Sequence, residues 1–122
     1  MNTFVNKVIE IEKELTNIVE KFNLFVLVER EDIQDKWDII VSFPMDKPEK
    51  KDLMNTIVAK FQTKQNQNLL LNISRFLYFP PQDPLTKNFN SIATIKHGHI
   101  EVNGSTFNGV FIKHAFIITS QR

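Results

Sequence analysis

The first twenty-two residues carry the clearest periodicity in the chain. Phe4, Val8, Ile11, Leu15, Ile18 and Phe22 recur at alternating spacings of four and three, which places them on one stripe of a helix. Val5, Ile9 and Val19 widen the stripe, and Lys7, Glu10, Lys13, Glu14, Asn17 and Lys21 fill the opposite side. Thr3 or Asn2 can cap the start, because a short side-chain oxygen accepts from an orphan amide of the first turn. The spacing predicts one amphipathic helix over 3–22, stopped at Asn23. The stripe has two readings: a face packed on a sheet of the same chain, or a seam that meets a second subunit.

Leu24 to Val28 is an apolar run of strand length, apolar enough for burial on both faces. Glu29 to Lys36 reads as a turn. Trp37, Ile39, Val41 and Phe43 then alternate with Asp38, Ile40 and Ser42, the period of a half-buried strand, which Pro44 ends. The short connection predicts an antiparallel hairpin. Asp46-Lys47-Pro48-Glu49 has the form of a capping box with proline in the first turn, opening a helix that carries Leu53, Met54, Ile57, Val58 and Phe61 on one face. The polar tract 62–68 should end it.

A strand is expected from about Asn72 to Phe79, closed by the rigid Pro80-Pro81-Gln82-Asp83-Pro84 turn. Asp83 as cap and Pro84 at the first helical position open a short helix whose Leu85, Phe89 and Ile92 face inward. Residues 95–102 and 110–119 are strand-like. Asn103-Gly104 and Asn108-Gly109 between them are two tight-turn signals, read either as a hairpin onto 105–107 or as a wider loop. The predicted order is α-β-β-α-β-α-β-β. It fits an α+β two-layer sandwich, a single domain over 1–122, with an antiparallel or mixed sheet and helices on one face.

Composition narrows the class. With 42% hydrophobic and 24% charged residues in 122 and a net charge of +1, the chain should fold throughout. There is no cysteine, which removes disulfides, thiolate metal sites and thiol nucleophiles. No apolar stretch approaches the roughly twenty residues that span a bilayer, and 1–14 lacks a signal-peptide core. A cytoplasmic protein with no membrane partner is expected. Residues 1–61 hold twelve acids against nine bases, and 62–122 hold two against six, so a net of −3 is followed by +4. The later half is mildly basic, short of the footprint of a dedicated nucleic-acid binder.

Three constellations could carry chemistry. His97 and His99 are two apart on a predicted strand and His114 lies on the next. If His99 opposes His114, all three imidazoles share one face in a zinc-like arrangement with Glu101 beside them, and a one-residue slip removes it. Asp32, Asp35 and Asp38, with Glu29 and Glu31, cluster around the first hairpin and read either as a metal-binding carboxylate group or as a solvated turn. Arg75, Lys96 and Lys113, interleaved with Phe76, Tyr78, Phe107 and Phe111, could contact RNA or single-stranded nucleic acid.

No serine sits in a Gly-x-Ser-x-Gly elbow, and Gly98, Gly104 and Gly109 cannot form a dinucleotide or phosphate loop. No cofactor is expected. The function expected from these features is a non-enzymatic protein-interaction or regulatory module of accessory or immunity type. Its partner would be itself, as a homodimer, or another protein. Two surfaces are candidates: the stripe Phe4, Val8, Ile11, Leu15, Ile18 and Phe22, and the strand 110–119, which is long and apolar as either an edge or a central strand. Nucleic-acid binding and a histidine-based metal-dependent hydrolase are the alternatives.

Overall fold

The computed structural model describes residues 2–44, 47–107 and 109–122. Its elements are α1 (Asn2–Val19), β1 (Leu24–Glu29), β2 (Trp37–Ser42), α2 (Lys47–Phe61), a 3-10 helix (Gln67–Asn72), β3 (Ile73–Tyr78), α3 (Pro84–Ile92), β4 (Ile100–Phe107) and β5 (Val110–Ser120). The expected α-β-β-α-β-α-β-β order is present with one addition. The leucine run 69–71 forms the 3-10 helix, with Leu69 turned inward and Leu71 exposed, instead of extending β3.

The five strands form one mixed sheet in the order β3-β2-β1-β5-β4. Only β2 and β3 run parallel, and α2 with the 3-10 helix provides the long crossover that a parallel pair requires. β1 and β2 are the predicted hairpin, joined by a turn in which the Arg30 amide donates to the Lys36 carbonyl at 2.8 Å.

Helices cover both faces of the sheet, which corrects the expectation of a single helical layer. α1 and α2 lie against Phe25, Leu27, Trp37, Ile39, Val41, Phe43, Phe116 and Ile118. On the other face Phe89 of α3 packs with Leu24, Val26, Ile40 and Ile117. The cause is visible in β1 and β2, whose residues are apolar in both alternation phases. A strand buried on two sides needs cover on two sides.

The helical stripe packs within the chain. Val8, Ile11, Leu15 and Phe22 are buried, Phe4 is half-buried against the same core, and Ile18, at 53% exposure, is the one that faces solvent. α1 ends three residues earlier than the periodicity predicts, where Glu20 adopts a left-handed φ of 72° and its amide still reaches the Thr16 carbonyl at 3.1 Å. The α3 cap is as expected: Asp83 accepts from the Leu85 amide at 2.9 Å, with Pro84 in the first turn. The α2 capping box, formed by Asp46 and the Glu49 side chain, falls outside what the structure describes.

The C-terminal strands depart most from expectation. Asn103-Gly104 is no hairpin turn. β4 runs through it, with Gly104 at φ +55°, and the turn lies at Gly109, φ +80°, beyond Phe107. Asn108, the first residue of that turn signal, is outside the described residues. β4 begins at Ile100. Upstream, Ile95 bridges to Ser120, and the chain bends through His97, whose φ of 55° is unusual for a residue with a Cβ. β5 is an interior strand between β1 and β4.

A bulge in β5 reverses which side chains face which helix. β1 pairs Val26 with Ile117 but Phe25 with Thr119, so Ile118 is the extra residue. After it the alternation shifts. Thr119 turns toward α1, and Ser120 turns toward α3, where its hydroxyl accepts from Asn90 Nδ2 at 2.8 Å.

Candidate functional site

The three histidines lie on the α1 side of the sheet but do not converge. Asn103, not His99, opposes His114, and neither His97 nor His99 is on a strand. The imidazoles are strung along β5 instead. His114 stacks edge-on to Trp37 at 5.1 Å, His99 lies 6.2 Å from the Phe116 ring, and His97 sits by Thr119. Among the described residues no group of three His, Asp or Glu side chains is placed to hold a metal ion, so the predicted His97, His99 and His114 centre does not form.

Each end of this row is tied to a carboxylate. Glu12 is fully buried, 0% exposed, on the apolar side of α1. Its Oε1 lies 2.5 Å from His97 Nδ1, and its Oε2 accepts from the Thr119 hydroxyl at 2.8 Å. The Thr119 hydroxyl in turn accepts the His97 amide at 3.1 Å. A buried carboxylate is costly unless its oxygens are bonded, and this cluster bonds both. With Nδ1 donating to Glu12, a neutral ring carries its acceptor on Nε2, which has no partner among the described side chains.

At the other end, His114 Nδ1 lies 3.2 Å from Glu29 Oε1 and Nε2 lies 2.7 Å from Glu101 Oε2. Only a doubly protonated ring donates to both. Burial opposes ionisation of Glu29. The Asp35 amide at 2.9 Å, the His114 ring and the nearby Lys113 charge outweigh it and hold the carboxyl below its usual 4.5. A carboxyl with a lowered folded-state pKa adds stability above the unfolded value and loses it as pH falls through the folded one. Wild-type protein should therefore lose stability below about pH 4.5, relative to pH 7, faster than Glu29→Gln does. Urea titrations at pH 7, 5 and 3.5 read this directly, and parallel curves for the two proteins would refute it.

These contacts fasten the edge of the sheet. Glu101 belongs to β4 and His97 to the bend that leads into it; their partners sit on α1 and β5, and His114 of β5 is tied in turn to Glu29 of β1. β4 is hydrogen-bonded to β5 on one side and open on the other. Ile92, Ala93, Ile100, Val102 and Ile117, together with the polar Glu101, Asn103 and Ser105, line a groove of about 270 Å³ along this strand. Ile92 and Ile100 are 49% and 38% exposed. The opposite edge is blunter: β3 is shorter, has its register broken at Ser74, and ends before Pro80-Pro81.

The predicted nucleic-acid residues are separated. Arg75 and Lys113 border one shallow depression of about 230 Å³ with the exposed Phe111, while Lys96 lies by the far end of β5. Acids neutralise that depression. Asp38 takes both ends of the Arg75 guanidinium, at 2.6 and 3.2 Å, and Asp32 does the same to Arg30. Of the hairpin acids, Asp32 and Asp38 are thus spent on arginines and Glu29 on a backbone amide and His114. A wider depression, about 630 Å³, is bordered by Asn23, Pro81, Lys87, Asn90 and Arg122.

Glu12 and Thr119 are the site residues that pattern reading does not find. A signal for Glu12 is present: it is four residues after Val8 and three after Ile9, a charge inside an apolar stripe. Nothing in the sequence marks the bulge that aims Thr119. No helix among the described residues is long and apolar enough to cross a membrane. The fold and its edge define a small α+β protein with a mixed five-stranded sheet. No family model, curated protein or solved structure matches the chain.

Proposed function

We propose that this chain is a non-enzymatic protein-interaction module, of a regulatory or accessory kind, that binds an extended segment along the open edge of β4. One observation carries the reading: an eight-residue edge strand, paired on one side only among the described residues, lies beside a groove that holds Ile92, Ile100 and Val102. Such an edge offers main-chain hydrogen bonds for affinity, and the groove offers pockets for alternate side chains, the two components of strand addition. The histidine–carboxylate ties support the reading, because a strand fastened at its start, through His97 and Glu101, has less ordering entropy left to lose on binding.

Selection of a random linear peptide library on the immobilised protein tests it. Wild type is expected to enrich segments with alternating Val, Ile or Tyr, and Ile100→Lys, checked for an unchanged circular dichroism spectrum, is expected to lose them. No enrichment, from a chain that is also monomeric in sedimentation, would overturn the reading.

A further inference from the structure

We infer that the segment fitting the β4 edge is β4 of a second copy, paired antiparallel about a two-fold axis through Val102. The inference rests on the edge reading above and names its partner.

Symmetry restricts the register. A two-fold perpendicular to the sheet keeps each side chain on its own face, and residues opposed in a ladder point to the same face, so the axis must pass through a residue pair and not between two. The extended part of β4 before Gly104 runs from Ile100 to Asn103, bounded upstream by the His97 bend and downstream by the left-handed Gly104. An axis at Glu101 would set two carboxylates directly against each other, which is destabilising. An axis at Asn103 would place Gly104, with its broken backbone geometry, inside the pairing on both strands.

An axis at Val102 avoids the first fault and moves Gly104 from beside the central pair to the last pair on each strand. Val102 meets Val102 of the second copy on the groove side. Ile100 comes opposite Gly104, where nothing lies within 4 Å of the missing Cβ, so the isoleucine has room. On the α1 side Glu101 comes opposite Asn103. Glu101 commits Oε2 to His114, and its Oε1 is left to accept from the amide of Asn103 in the second copy. The two copies thus pair donor with acceptor twice and set no like charges directly opposite each other. Two grooves, each with a half-exposed Ile92 and a part-exposed Ile100, become continuous across the axis.

The absence of native cysteine makes the register directly readable. Opposed residues of an antiparallel ladder have Cα atoms about 4.5–5.5 Å apart, within the span of a disulfide. Val102→Cys should form a disulfide-linked dimer under mild oxidation. Ser105→Cys, three residues from the axis, should not. Sedimentation of the cysteine-free protein should show a concentration-dependent dimer, with Ile100→Lys and Val102→Lys each raising the dissociation constant about tenfold or more. Ile100→Lys serves as the second variant because its side chain already reaches solvent. Cross-linking of Ser105→Cys in preference to Val102→Cys would overturn the register. A wild-type monomer at all concentrations would overturn the second copy as partner; if peptides are still selected in that case, the edge reading stands without it.

Discussion

Phe22→Ala is expected to lower the free energy of unfolding by about 3–5 kcal/mol, a large part of the stability of a domain this size. Phe22 is fully buried where the chain passes from α1 to β1. It meets Phe25 edge-on at 5.1 Å and Phe43 at 6.2 Å, so truncation removes its own burial and strips ring contacts from two neighbours. The backbone around it is pinned from other directions: Gln121 Nε2 donates to the Phe22 carbonyl, and the Asn23 amide donates to Ser42. The cavity should therefore persist rather than collapse. Urea titration should show a lower midpoint with an unchanged slope. A loss under about 1 kcal/mol would contradict tight packing at this corner.

Glu12→Ala is expected to cost about 3 kcal/mol, although it deletes a charge from an apolar environment. Removing the carboxylate leaves the Thr119 hydroxyl without its acceptor and frees the His97 ring, which is held by Glu12 at 2.5 Å. It also loosens a bend whose left-handed φ needs support from its surroundings. Glu12→Gln should cost less, because the amide oxygen still accepts from one of the two donors. Hydrogen exchange should show the Glu12→Ala loss concentrated in 95–100 and the end of β5. Protection lost evenly across the sheet would mean that Glu12 matters to the core and not to the edge.

The amphipathic first helix, the β1–β2 hairpin and the Asp83–Pro84 start of α3 are legible in the sequence because each depends on local rules: helical spacing, strand alternation and capping. The side of the sheet taken by α3 depends on a nonlocal demand, the two-sided apolarity of β1 and β2. That demand is written in Leu24 to Val28, but periodicity alone assigns no helix to a layer. The histidines illustrate the same limit. They share one side of the sheet, yet their contacts depend on the β4–β5 register and on a bend at His97. Asn103-Gly104 misleads because the same dipeptide that closes tight turns also permits a positive φ inside a strand. Glu12 is the readable exception, a charge out of phase with its helix, whose partner lies 85 residues away.

The extra residue at Ile118 also acts as a phase lock on the whole sheet. A regular strand can slide along its neighbour by two residues and still present the right faces, so two-residue slips are the cheapest errors in β pairing. β5 carries two alternation phases joined at the bulge: one sets His114, Phe116 and Ile118 beneath α1, and the other sets Thr119 beneath α1 and Ser120 beneath α3. A slipped β5 could match one phase with its neighbours but not both, and would strand either Glu12 or Asn90 without its partner. The irregularity therefore discriminates among alignments that hydrophobicity alone would leave nearly equal.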